Sequence, residues 1–196
     1  AKIYSTLISG TKEHRGDYSS IVPLIPTGKG TSASHLSWTD DKFAEAEASI
    51  IEISGVYKKY HCPMARTILL GKPDQKKIDT MKKTREAIQA GIDVTKPGNT
   101  ADDVAQAFWK VLDKYGIEKK SRTGYSIGIG YPPDWGEHTL NIQKGDKTVL
   151  QKNVCFHMIA VMQFGEWGVE SSESIRVSEN GAENFYKFPD ELHIKG

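Results

Sequence analysis

The sequence has only two cysteines, Cys62 and Cys155, and they show no Cys-x-x-Cys spacing. Cysteine usage this sparse predicts neither a disulfide framework nor a cysteine-ligated zinc site, and it favours a reduced, cytoplasmic protein. The sequence also lacks any apolar run of about 18 residues and any charged-then-apolar segment at its start. Neither a membrane span nor a secretory signal is therefore predicted.

An excess of either charge is absent as well, since 26 lysines and arginines face 25 aspartates and glutamates, for a formal net charge of +1. Nucleic-acid binding needs a basic face, so no nucleic-acid partner is expected. The lysines form local clusters that are interpreted as solvated helix surfaces or ends: Lys76 with Lys77, Lys82 with Lys83, and Lys119 with Lys120.

Two helices are predicted in the middle of the chain. Within residues 74–95 the apolar side chains recur at helical spacing, at Ile78, Met81, Ile88 and Ile92. Thr100 and Asp103 form a Thr-x-x-Asp variant of the capping box at the start of the second helix, and Gly116 ends it.

Strands are predicted on both sides of the helices. Residues 49–58 and 65–70 are predicted as two strands joined by a turn, and the run IVPLI is predicted as a strand between long loops. After residue 121, GYSIGIGY and VCFHMIAVMQF begin a curved, mostly antiparallel sheet with a hairpin turn at Asn180-Gly181. The result is an α+β fold in one domain, residues 1–196, with two long helices packed on one side of the sheet.

Glu52 stands out because it lies inside the apolar strand of Ile50, Ile51, Ile53 and Val56. Alternation places Glu52 on the face opposite Ile51 and Ile53. A carboxylate on a mostly buried sheet is costly unless it is paired or functional. Glu52 is therefore a candidate site residue, and the alternative is a solvent-facing or salt-bridged carboxylate.

The histidines are weaker candidates, since a lone histidine is more often structural or exposed than catalytic. His35 ends a glycine-rich loop, His61 lies between the two strands predicted at 49–58 and 65–70, and His157 lies between Phe156 and Met158. Glu137 and His138 follow a Pro-Pro-Asp loop, which is a more typical rim of a cleft.

Glu170 and Glu173 are three residues apart on one predicted strand, so an undistorted strand places them on opposite faces. At most one of them faces a site unless a bulge intervenes. The motifs of zinc peptidases, of P-loop and dinucleotide-binding proteins and of serine hydrolases are all missing.

Seven stretches, taken in order, carry a family resemblance: SGTKEHRGDYSSIVPLIPTG, SHLSWTDDKF, IIEISGVYKKYHCPMARTILLG, VTKPGNTADDV, GYSIGIGYPPDWGEHTL, TVLQKNVCFHMI and GVESSESIRVSENGAENF. Together they resemble the catalytic pita-bread domain of the creatinase and aminopeptidase P superfamily. The long GYSIGIGYPPDWGEHT motif is similar to that of the ectoine hydrolase subgroup. The resemblance implies a catalytic domain alone, without the amino-terminal domain of its relatives, and a homodimer in the full-length form.

Metal-dependent members of this superfamily carry two Asp, one His and two Glu as ligands of a two-metal centre. The positions that match these ligands here are Glu52, Pro63, Tyr125, Ile159 and Ser172, and the last match can slip toward Glu170 or Glu173. Pro63 and Ile159 have no side-chain donor. The resemblance therefore implies hydrolysis without a metal or other cofactor, as in creatinase.

The implied activity is hydrolysis of a C–N bond in a cyclic amidine, opening ectoine or hydroxyectoine to an N-acetyl-diaminobutyrate. By the resemblance, His35 is the general acid/base, Glu52 the anchor or nucleophile, and His138 a proton shuttle. The expected substrate-binding residues are Tyr60, His61 and Tyr125, with Glu170 and Glu173 as competing second carboxylates.

Two alternatives remain open from the sequence. One is an Xaa-Pro aminopeptidase or dipeptidase with unusual metal ligands. The other is a catalytically inactive pita-bread domain that binds a peptide or protein partner.

Overall fold

The computed structural model describes residues 1–189 and 192–196. Its helices are α1 (Lys2–Ser9), α2 (Gln75–Asp93) and α3 (Ala101–Lys114), with a short 3₁₀ helix at Gly28–Ser32. Its strands are β1 (Ala48–Tyr57), β2 (Tyr60–Leu70), β3 (Gly124–Tyr131), β4 (Asp134–Asn141), β5 (Cys155–Gln163), β6 (Gly168–Val177), β7 (Ala182–Asn184) and β8 (His193–Lys195). None of the helices in these described ranges has the length and apolar character needed to cross a membrane.

The strands form one sheet in the order β1-β2-β3-β5-β6-β7, with β4 paired to β3 and β8 paired to β2. All of these pairs are antiparallel except β2 with β8, which is parallel. The predicted mostly antiparallel α+β fold is therefore confirmed. The predicted hairpin at Asn180-Gly181 is present too, since it joins the paired strands β6 and β7.

The two long helices bury an apolar stripe against one side of the sheet. Ile88 of α2 and Phe108 and Leu112 of α3 are fully buried against Phe156 and Met158 of β5. This core accounts for the helical spacing of the apolar residues. That spacing puts them on one face of each helix, and they stabilise the fold because that face packs against the sheet.

The predicted capping box at the start of α3 is confirmed. The Thr100 hydroxyl accepts the N–H of Asp103 at 3.1 Å, and the Asp103 carboxylate accepts the N–H of Thr100 at 2.7 Å. Two N–H groups that the helix leaves unpaired thus find acceptors.

Thr100→Ala is expected to lower the free energy of unfolding by about 1 kcal/mol, because the Asp103 N–H loses its acceptor. Urea denaturation measures this change. Thr100→Ser is the control, since it keeps the hydroxyl. An equal loss in both variants would contradict a capping role.

The predicted IVPLI strand is wrong as a regular strand. Within it Leu24 forms an isolated bridge with Glu52, and Thr27, just after it, forms another with Ser49. Pro23 interrupts this stretch, and proline has no backbone N–H to give to a ladder.

Candidate active site

Glu52 lies in the middle of β1 on the buried face. Ile50 and Ser54 share its face, and only 6% of Glu52 is exposed. Leu24 pairs with Glu52 on the outer edge, through two backbone hydrogen bonds of 2.9 Å. The alternative of a solvent-facing Glu52 is thereby excluded.

A second carboxyl group, that of Glu170 on β6, forms a side-chain hydrogen bond with Glu52. Glu170 is also buried, with 7% exposed. Burial raises the pKa of Glu52 to about 7, and the hydrogen bond from Glu170 opposes that rise. Burial and the Glu52 charge raise the pKa of Glu170 well above its usual range. The two groups, called the acid pair below, therefore hold one proton on Glu170 when Glu52 is ionised.

Side-chain hydroxyls hold the β6 backbone at Glu170 against β2. The Thr67 hydroxyl donates to the Glu170 carbonyl at 2.8 Å and accepts the Glu170 N–H at 2.7 Å. Ser174 donates to the Pro63 carbonyl at 2.6 Å. Because these bonds join β2 to β6, they hold Glu170 in register with the hairpin that carries Glu52.

Glu173 lies on the opposite face of β6, as the three-residue spacing predicted. Its carboxylate accepts from Arg66 at 2.7 Å and from Arg85 at 2.9 Å. Of the two competing carboxylates, the structure thus brings Glu170 to Glu52 and pairs Glu173 with arginines.

Lys119 is a correction to the sequence analysis, which placed it on a solvated surface. Only 9% of it is exposed, and its ammonium donates to the Ser121 hydroxyl at 2.6 Å and the Arg122 carbonyl at 3.1 Å. Burial lowers the pKa of Lys119 to about 8, against the opposing charge of Glu170. The chain turns inward after α3, and composition alone gives no signal for this.

Tyr125 on β3 lies beside the acid pair. Its hydroxyl accepts the indole N–H of Trp135 at 2.8 Å and lies 3.0 Å from Nδ1 of the buried His157. Burial, followed by the charge of Glu52, raises the pKa of the Tyr125 phenol. Sequence reasoning missed Trp135 as a site residue, although it lies inside the GYSIGIGYPPDWGEHT motif.

The glycines of β3 allow close backbone approach, as predicted. A Cβ on Gly124 would lie 2.8 Å from the His157 carbonyl, and one on Gly130 would lie 2.9 Å from the Trp135 Cα. A side chain at either position would push away a strand that carries His157 or Trp135. The glycines thus allow His157 and Trp135 to lie close to Tyr125.

The structure does not bring the predicted catalytic histidines to Glu52. His35 is exposed, and His138 is exposed and 3.0 Å from the Asp134 carboxylate. Both adopt positive φ angles, of 64° and 56°. Among the described residues, no hydrogen bond links either imidazole to the acid pair, so their catalytic roles stay predictions.

His61 is buried and held by backbone contacts. Its Nδ1–H donates to the Lys59 carbonyl at 2.8 Å, and its Nε2 accepts the N–H of Ser20 at 3.0 Å. Together with the exposed Tyr60, it lines a separate groove of about 590 Å³ that does not include Glu52. The structure therefore places these two predicted substrate-binding residues apart from the acid pair.

The side chains at the five positions that the resemblance matches to metal ligands are poor metal ligands. Pro63 and Ile159 offer no donor, and the Ser172 hydroxyl accepts the N–H of Ala65 at 2.7 Å. The Tyr125 oxygen is already engaged by two neighbours. Across residues 1–189 and 192–196, no group of three or more His, Cys, Asp or Glu side chains is placed to hold a metal ion.

Comparison with known proteins finds relatives that are named as hydrolases. The chain is 44% identical over 181 residues to an ectoine hydrolase of Halomonas elongata, covering 92% of this chain and 45% of that protein. It is 34% identical over 195 residues to an uncharacterised hydrolase/peptidase of Sinorhizobium fredii, covering 100% of this chain and 50% of that protein. The chain thus spans about half the length of these curated relatives.

The structural and family matches agree with these relatives. The dipeptidase PepE of Mycobacterium ulcerans superposes with a TM-score of 0.80 at 24% identity, over 92% of this chain and 48% of that structure. This likeness confirms the predicted pita-bread fold. The model of metallopeptidase family M24 matches residues 1–179. Because that match covers most of the sequence, the chain belongs to metallopeptidase family M24.

Proposed function

We propose that this chain is the hydrolytic domain of an enzyme that opens the cyclic amidine ring of ectoine without a metal ion. The observation that carries the proposal is the buried, hydrogen-bonded pair of Glu52 and Glu170. By the resemblance, Glu52 matches a metal-ligand position of the metal-dependent members. The similarity to an ectoine hydrolase supports the choice of substrate.

The charge of the acid pair suits an amidinium. With one proton shared, the pair carries a single negative charge, and the protonated N–C–N unit of the ring carries a single positive charge. Charge-assisted hydrogen bonds are about twice as strong as neutral ones. A buried site strengthens them further, because water does not compete.

The chemistry balances without an added reagent. An oxygen from water is bonded to the amidine carbon, and one C–N bond breaks to leave an amide and an amine. The Glu52 carboxylate takes the proton from the attacking water. If it instead attacks the carbon directly, a covalent intermediate forms, and water then adds to the same carbon and breaks the Glu52–carbon bond, which restores the carboxylate and releases the amide. The proton on Glu170 goes to the departing ring nitrogen. The product is an N-acetyl-diaminobutyrate.

The alternative of an Xaa-Pro peptidase has less support. Peptide hydrolysis on a two-metal centre needs ligands that hold both ions about 3.5–4 Å apart. Of the five matching positions, Glu52 alone offers a carboxylate.

Incubation of the protein with ectoine is expected to yield an N-acetyl-diaminobutyrate, detected by mass spectrometry. Dialysis against a chelator is expected to leave the rate unchanged, because no step uses a metal. Xaa-Pro dipeptides, tested in parallel with and without manganese, serve as the control. Peptide cleavage that depends on manganese, with ectoine left intact, would contradict the proposal.

A further inference from the structure

Three side chains beside the acid pair form a hydrogen-bonded row. The Trp135 Nε1 lies 2.8 Å from the Tyr125 hydroxyl oxygen, and His157 Nδ1 lies 3.0 Å from the same oxygen. The Tyr125 and His157 rings meet edge to face, with centroids 5.4 Å apart. All three side chains are largely enclosed, so each polar hydrogen in the row must find its acceptor within the protein or the bound substrate.

The direction of each hydrogen follows from what the groups can donate. The indole N–H of Trp135 only donates, so the Tyr125 oxygen must accept there. His157 Nε2 is buried and has no partner within the described residues. If Nε2 carried the hydrogen, a buried N–H donor would be orphaned, and such donors are rarer than under-satisfied acceptors. The hydrogen of His157 therefore belongs on Nδ1.

With both nitrogen neighbours donating, the Tyr125 oxygen accepts two hydrogen bonds. Its own O–H is then free of both partners. The charges of Glu52, Asp134 and Glu170 all act on this phenol, and of these three carboxyl groups Glu52 and Glu170 are the buried ones. The phenol stays protonated because burial raises the pKa of Tyr125.

We propose that Trp135 and His157 are positioning residues that turn the Tyr125 O–H toward the acid pair, where it donates a hydrogen bond to the oxygen added to the amidine carbon. This rests on the proposed function. Tyr125 keeps its proton throughout, so it stabilises the tetrahedral intermediate without taking part in proton transfer. It thus occupies, as a neutral donor, a position that matches a metal-ligand histidine.

His157 acts as a neutral group in this arrangement. Burial, followed by the nearby positive charge of Arg66, lowers the pKa of His157 to about 3. A neutral imidazole cannot donate from both nitrogens, so the Nδ1–H is its single hydrogen. Removing His157 is therefore expected to change kcat without changing the pH profile.

Tyr125→Phe is expected to lower kcat for ectoine about 10²-fold with KM little changed, since one donor to an oxyanion is worth about 10²–10³-fold in kcat. His157→Leu is expected to impair kcat as well, because the phenol loses a neighbour that directs its hydrogen. His157→Asn is the matched control, since its amide N–H substitutes for Nδ1–H and is expected to restore most of kcat. Steady-state kinetics across pH measures all three variants.

Nitrogen-15 NMR of the histidine side chains tests the arrangement independently of turnover. We expect His157 to carry its hydrogen on Nδ1, and a hydrogen on Nε2 would overturn the inference. A Tyr125→Phe enzyme with unchanged kcat would overturn it as well, as would a His157→Asn enzyme as impaired as His157→Leu. Failure of the wild-type protein to open ectoine, with His157 hydrogenated on Nδ1, would count against the proposed function alone.

Discussion

Replacement of Glu52 by glutamine is expected to lower kcat for ectoine opening by roughly 10³-fold or more, because the amide neither attacks carbon nor accepts a proton. The fold is expected to survive, since glutamine has nearly the same shape. Product formation under saturating ectoine measures the loss. Glu183→Gln is a suitable control, because Glu183 forms an exposed ion pair with Arg176 and lies outside the acid pair.

Glu52→Gln is also expected to change the free energy of unfolding, in a way that depends on pH. Burial raises the pKa of Glu52 to about 7 in the folded protein, above its ordinary value of 4.5. The folded state therefore binds more protons than the unfolded state between these values, so stability falls as pH rises through that window. Glu52→Gln removes this cost and is expected to raise the free energy of unfolding above pH 7, on the order of 1–3 kcal/mol.

The pH profile of the wild-type enzyme follows from the same group. Since ionised Glu52 is the active form, kcat/KM is expected to rise with pH and to level off above a pH of about 7.

A Glu52→Gln variant that is inactive and also lacks the gain in unfolding free energy would indicate unfolding rather than lost chemistry. A Glu52→Gln enzyme with near-normal turnover would remove Glu52 from the mechanism.

Glu170→Gln is expected to lower kcat about 10²-fold, because the amide keeps the neutral charge of protonated Glu170 but does not deliver a proton to the leaving nitrogen. KM is expected to change little, since Glu52 still supplies the negative charge that holds the amidinium. Steady-state kinetics separates the two parameters. Loss of binding with kcat retained would assign Glu170 to substrate binding instead of proton delivery.

Glu173→Gln is expected to contrast with Glu170→Gln, because it should lower stability and leave kcat unchanged. Its carboxylate is shared by Arg66 and Arg85 on the other face of β6. Removing one member of a buried ion pair is typically costly by about 3–5 kcal/mol. We therefore expect lower thermal stability for this variant, with kcat per folded molecule close to that of the wild type.

Local sequence signals predicted the parts of the fold that depend on neighbouring residues. The helical spacing of Ile78 through Ile92, the Thr100 capping box and the Asn180-Gly181 turn are all short-range features. The separation of Glu52 from Ile51 and Ile53, and of Glu170 from Glu173, followed from strand alternation, because successive side chains point to opposite faces. Motif resemblance predicted the pita-bread fold.

Tertiary structure decided which residues meet. Glu52 and Glu170 are far apart in the chain, and the pairing of β2 with β6 through side-chain hydroxyls brings them into contact. The burial of Lys119 and the contact of Trp135 on β4 with Tyr125 on β3 are also visible only in the folded structure. The sequence by itself determined a carboxylate within an apolar strand and a superfamily with substituted ligand positions. Only the packed sheet determined its partner and its proton, because burial and proximity shift a pKa and neither exists in an extended chain.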